Sequence, residues 1–159
     1  MKILVSACLL GTNCKYSGGN NYSETLVRLA EEHELIPVCP EVLGGLPVPR
    51  TPAEIVDGRV TAKDGTIVDK EFRNGAAAAL RIALETGAGL AVLQSRSPSC
   101  GPREIYDGTF SGRRIPGKGI FAALLSESGI RILDIEELET SGASLLQQST
   151  AEPLKHANS

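Results

Sequence analysis

The chain has 159 residues, 42% of them hydrophobic but only 4% aromatic, with 17 glycines, no Trp and four cysteines. Its 16 Lys and Arg against 19 Asp and Glu leave a net charge of −3, which argues against sequence-independent binding of long duplexes, a function that needs a strong basic face, while leaving room for a local basic pocket. No apolar run approaches the ~18 residues of a membrane span, so no membrane partner is expected.

Taken in order, the chain predicts short apolar strands separated by helices. Lys2 to Ala7 reads as a buried strand, followed by a glycine- and asparagine-rich loop from Gly11 to Asn21. Ser23 and Glu24 open a helix carrying Leu26, Val27, Leu29 and Ala30. Leu35 to Val38 is a second strand, and Cys39 to Pro52 a loop rich in proline and glycine. Arg59 to Ala62 and Thr66 to Val68, flanked by Asp57-Gly58 and Asp64-Gly65, read as a small hairpin. Asp69 to Thr86 is the longest helix, closed by Gly87. Leu90 to Leu93 is a third strand, and Ile105 to Phe110 an extended piece around Asp107-Gly108. A helix from Gly119 to Ser128 stops at Gly129, before a fourth strand at Ile130 to Leu133 and a helical turn at Ile135 to Glu139. Helices alternating with strands imply right-handed crossovers and an α/β fold: a single three-layer domain with a short, mostly parallel, Rossmann-like sheet. Residues 1–139 form that domain, and 140–159 read as a polar, flexible tail.

The cysteines fall at telling places. Cys8 follows the first strand directly, Cys39 follows the second, and Cys100 lies in the loop beyond the third. In an open parallel sheet, ligands bind outside the carboxyl ends of the strands, so these three thiols should converge. There is no Cys-x-x-Cys redox pair, and structural zinc sites usually pair their ligands in sequence. Three soft ligands from separate loops suit an iron–sulfur cluster better. The competing reading treats them as small buried hydrophobes, a frequent fate of free cysteine. Cys14 reads either as a fourth ligand or as an incidental thiol, with the balance toward incidental. Seven residues before Cys8 are too few for a secretory leader, although Val5-Ser6-Ala7-Cys8 mimics a lipoprotein cleavage site. The expected compartment is therefore cytoplasmic, where thiols stay reduced.

Three blocks carry a resemblance: Ser6-Ala7-Cys8-Leu9-Leu10-Gly11; Pro37-Val38-Cys39-Pro40-Glu41-Val42-Leu43-Gly44-Gly45-Leu46 with Pro49-Arg50 and Pro52-Ala53-Glu54-Ile55; and Ser97-Pro98-Ser99-Cys100-Gly101 with Ile105-Tyr106-Asp107-Gly108-Thr109-Phe110-Ser111-Gly112. From about residue 3 to 134 the chain resembles the thiouracil desulfidases, a bacterial family long catalogued as a domain of unknown function. The resemblance implies a [4Fe-4S] cluster on Cys8, Cys39 and Cys100 with one open iron. It also implies non-redox desulfuration of a thiolated pyrimidine to uracil and sulfide. Gln94 departs from the lysine expected there, which bears on the substrate rather than on the cluster.

Within that chemistry Glu41, two residues after Cys39, is placed to move protons, and a capping carboxylate is its bland alternative. Ser97 and Ser99 could hydrogen-bond a pyrimidine edge or a cluster sulfur, or only satisfy backbone. Asp107 before Gly108 reads more as a turn than as an acid, and Tyr16 could stack on a base or simply pack. Gly112 to Lys118 matches the spacing of a phosphate-binding loop, but Gly119 replaces the required Ser or Thr and no buried strand leads in. His33 at a helix end and His156 in the tail leave no plausible catalytic histidine. The rival class is a non-catalytic zinc or iron–sulfur binding module using all four cysteines. The expected substrate is a small thio-nucleobase or nucleoside rather than a long nucleic acid.

Overall fold

A computed structural model describes residues 1–142 and 144–146. Its centre is a parallel sheet of β1 (Lys2–Ser6), β2 (Glu34–Val38), β5 (Leu90–Leu93) and β8 (Arg131–Asp134), in the order β2-β1-β5-β8. The middle of β1, Ile3–Leu4–Val5, is wholly apolar because both its faces are covered. Ile3 and Val5 face one core with Leu26, Val92, Leu133 and Leu138. Leu4 faces the other with Ala79, Ala91, Leu93, Phe121 and Leu125. Helices α1 (Glu24–Arg28) and α5 (Ile135–Ser141) contribute to the first core, and α3 (Asp69–Thr86) and α4 (Ile120–Glu127) to the second, giving the three expected layers.

The strand order reverses between β1 and β5. From β1 the chain crosses outward to β2, then returns past β1 to β5 and continues to β8. The crevice at such a reversal is where open α/β sheets place ligands. Here the Gln94 backbone N–H, just beyond β5, donates to Ser6 Oγ at the end of β1 (2.9 Å), pinning the two strand ends together. β2 forms one edge of the sheet, with Pro37 set opposite Val5.

Several elements depart from the sequence reading. The segment expected to be loop from Cys39 begins with a short helix, α2 (Pro40–Leu43), with Cys39 as its N-cap and Pro40 in its first turn. The small hairpin pairs β3 (Ala53–Val56) with β4 (Arg59–Ala62) across Asp57-Gly58, and Ile67 contributes only an isolated bridge to Thr61. A second hairpin joins β6 (Glu104–Tyr106) to β7 (Arg114–Pro116). β7 runs through the middle of the segment that mimicked a phosphate-binding loop, and Gly119 caps α4. The expected tail from residue 140 lies mostly outside the described residues. Within them, α5 reaches Ser141, and Leu146 is buried in the first core.

The contact between α2 and α3 sets where Cys39 and Glu41 sit. Gly44 and Gly75 let the two backbones meet. A Cβ on Gly75 would lie 1.7 Å from the Pro40 carbonyl oxygen, and one on Gly44 would lie 1.9 Å from that of Glu71. In an isolated helix, Gly to Ala at a mid-helix position gains about 1 kcal/mol. A backbone collision of this size outweighs that gain, and overpacking costs about 1–3 kcal/mol. Gly75→Ala is therefore expected to lower unfolding stability in denaturant titration. Gly89→Ala, where a Cβ meets nothing within 4 Å, should stay within about 0.5 kcal/mol of wild type.

Candidate active site

At the carboxyl ends of β1, β2 and β5 lies a cavity of about 810 Å³. Cys8 reaches it from the 3₁₀ turn Ala7–Leu10 that follows β1, Cys39 from the N-terminus of α2, and Cys100 from the loop after β5. The convergence expected from the strand ends is present. Cys14, which the sequence leaves as either a fourth ligand or an incidental thiol, also lines the cavity. Its thiol is buried and within hydrogen-bonding reach of both Cys8 and Cys39. The loop carrying it is held by Arg50, whose Nη2 donates to the Cys14 carbonyl at 2.9 Å.

None of the four cysteines is bonded to another. Hydrogen bonding from Cys14, opposed by burial and helped by Asn21, holds Cys8 below its ordinary thiol value. The hydrogen bond between Cys39 and Cys14, together with burial, pushes Cys39 well above its own. Burial pushes Cys100 up to about 12, against a hydrogen bond from Ser6. Asn21 Nδ2 donates to Cys8 Sγ at 3.7 Å. Two of the thiols therefore already receive a donor from a neighbouring polar side chain.

Glu41 lies on the same cavity wall, in the first turn of α2. Its Oε1 accepts from Arg50 Nε at 3.0 Å. Burial raises the Glu41 carboxyl above its ordinary value, and Arg50 opposes that rise. Arg50 is itself buried and uses every arm of its guanidinium, with Nη1 donating to the Pro47 carbonyl at 3.0 Å. Its own backbone N–H donates to the Tyr16 carbonyl at 2.7 Å. One side chain thus staples the loop of Cys14 to the loop of Glu41. In the sequence, Arg50 carries no signal beyond being a lone cation in a proline-rich stretch nine residues after a candidate acid.

The two serines separate. Ser97 lines the cavity, and its Oγ accepts from the backbone N–H groups of Ser99 and Cys100, both at 3.0 Å, fixing the loop that carries Cys100. Ser99 is fully buried with no partner for its hydroxyl and does not line the cavity, so the structure does not bring it together with Ser97 on the cavity wall. Gln94 and Tyr16 line the cavity, whereas Asp107 holds a turn by accepting from the Thr109 backbone N–H at 3.0 Å.

Residues 3–137 match the 2-thiouracil desulfurase family. The chain belongs to that family. It is 41% identical over 146 residues to the uncharacterized protein YbbK of Bacillus subtilis (strain 168), covering 86% of this chain and 97% of that protein. It also resembles a solved structure described as the [4Fe-4S]-dependent thiouracil desulfidase TudS, with a TM-score of 0.84 and 40% identity. That match covers 92% of this chain and 98% of the other.

The Arg50 staple can be tested directly. A buried carboxylate that loses its only strong counter-charge shifts further toward the protonated form. Arg50→Gln is expected to move the Glu41-dependent limb of the pH–activity profile to higher pH and to lower turnover about tenfold or more. Arg50→Lys should rescue only partly, because an ammonium cannot reproduce the planar three-way contact. An unchanged pH profile in Arg50→Gln would show that the pair does not set the state of Glu41.

Proposed function

We propose that the protein hydrolyses the C–S bond of a thiolated pyrimidine such as 2-thiouracil, releasing uracil and sulfide, with a [4Fe-4S] cluster held by Cys8, Cys39 and Cys100. The observation that carries this reading is the meeting of three strand-end thiols and one partly buried carboxylate on a single cavity. The donor set suits such a cluster: soft thiolates, with Asn21 and Ser6 each placed to hydrogen-bond a ligand sulfur. When bound, the cluster supplies a soft Lewis acid for the substrate's exocyclic sulfur, provided one iron carries no protein ligand.

The remaining chemistry falls to the chain. Desulfuration by water is redox-neutral: water adds its oxygen to the ring carbon, and sulfur departs as sulfide. Glu41 can take a proton from the attacking water and return one to the departing group, since its raised value lets it exchange protons nearer neutrality than an exposed carboxylate. Arg50 keeps that carboxylate facing the cavity. Ser97 accepts two backbone N–H groups through its oxygen, leaving its hydroxyl hydrogen to donate toward the substrate. The net charge of −3 favours a free base or nucleoside over a whole RNA. Four unbridged cysteines favour the cytoplasm.

Protein purified without oxygen is expected to carry about four irons per chain and to release sulfide from 2-thiouracil. Stoichiometric zinc without sulfide would instead support the four-cysteine binding module. Cys8→Ala, Cys39→Ala and Cys100→Ala should each lose iron and activity, while Cys14→Ala should keep iron. Iron loss in Cys14→Ala would mean a closed four-thiolate site and would remove the open-iron mechanism. Glu41→Gln should load iron normally and turn over about 100-fold more slowly, within the usual contribution of a proton-transfer group. Turnover at the wild-type rate would strip Glu41 of its role.

A further inference from the structure

The chain contains only three phenylalanines. Phe121 is completely buried in a core, and Phe72, which also borders the cavity, is 1% exposed and so has no free face to offer. The third, Phe110, is only partly buried and lines the cavity. Its backbone has φ of 58°, a left-handed conformation that a bulky side chain adopts only when its surroundings enforce it. Those surroundings are identifiable. Glu54 Oε1, on β3, accepts from the backbone N–H groups of both Gly108 (2.9 Å) and Phe110 (3.1 Å). Gly108 lies so close to β3 that a Cβ there would stand 2.6 Å from the Ile55 carbonyl oxygen. Thr109 is tied to Asp107 through its backbone N–H, and its hydroxyl lies 2.6 Å from that of Ser111. The tip of the β6–β7 hairpin is thus fixed against β3 in a strained form, and what it delivers to the cavity is one flat apolar ring.

The other partly exposed aromatics on this cavity are otherwise engaged. Tyr106 interacts through its hydroxyl with Arg96, and Tyr16 is 47% exposed with the Lys15 ammonium 6.0 Å from its ring. We infer that Phe110 is a specificity-determining residue that stacks on the planar ring of the substrate, and that Glu54 is the positioning residue that holds it there. The inference rests on the thiopyrimidine reading and adds to it a class of substrate: fully conjugated thiocarbonyl rings, in preference to puckered thioamides with the same hydrogen-bonding edge. An aromatic face recognises conjugation and flatness, which hydrogen bonds to the ring edge do not.

The test compares 2-thiouracil with 5,6-dihydro-2-thiouracil, which keeps the thiourea edge but loses ring conjugation. Wild-type protein is expected to prefer the planar compound in kcat/KM. Phe110→Leu, which keeps an apolar side chain of similar bulk, should lower that preference about tenfold, chiefly through KM, with iron and sulfide content unchanged. Phe110→Tyr should restore it. Glu54→Ala should lose part of the preference without touching the cavity thiols, whereas Glu54→Gln, which retains an acceptor oxygen, should lose less. Uracil binding, measured without turnover, should weaken in Phe110→Leu in parallel. An undiminished preference together with undiminished uracil affinity in iron-replete Phe110→Leu overturns the inference. Wild-type protein that desulfurates neither compound would sink the desulfidase reading instead, and the uracil titration would then decide the stacking role by itself.

Discussion

The site depends on the position of β1 between β2 and β5 in a parallel sheet. Parallel pairing sets Ser6 opposite Val38 and Val5 opposite Val92, so the chain leaves all three strands on the same side at nearly the same level. Neighbouring strands are about 4.8 Å apart, which brings residues distant in sequence within one cavity's width of one another. An antiparallel partner at either position would have sent one of the cysteines to the far end of the sheet. The apolar residues of β1 and β5, which look like core filler, therefore place the thiols as surely as the loops do.

Around that frame the polar contacts are few and each serves two elements. Ser6 closes the strand ends through Gln94 and also supports Cys100. Arg50 joins the Cys14 loop to the Glu41 loop. Glu54 joins the β3–β4 hairpin to the tip of the β6–β7 hairpin. In each of these three cases one side chain ties two segments together, the arrangement that keeps a polar cavity wall rigid. The cavity is accordingly shaped by three hubs rather than by the aromatic packing that this composition lacks.

Much of this was legible in the sequence, for a physical reason. Cysteines immediately after short apolar runs mark strand ends, and strand ends in an α/β fold mark the ligand side; Cys8 and Cys39 are readable on that ground, and Cys100 by lying in the loop that leaves the third strand. The longest helix was equally clear, from Asp69 to its glycine cap at Gly87. What escaped lacked a local signature. α2 starts on a cysteine rather than on a Ser, Thr, Asp or Asn, and its four residues fall between prolines and glycines that read as loop. The residues of β7 are all exposed, so no alternation betrays it. Cys14 follows no strand, and Arg50 binds carbonyls remote in sequence. Ser99 was drawn toward the site by its closeness to Cys100 along the chain, which a turn does not convert into closeness in space.

Pro37 has a consequence of another kind. β2 is an edge strand, and an open edge is a template on which a further strand, from a second copy or a misfolded chain, can grow. A proline there deletes one amide donor from the row and interrupts the ladder such growth would need. The residue just before Val38 and Cys39 thereby acts as a gatekeeper against aggregation while the protein folds, at the point where a stray strand would do most harm to the mouth of the cavity.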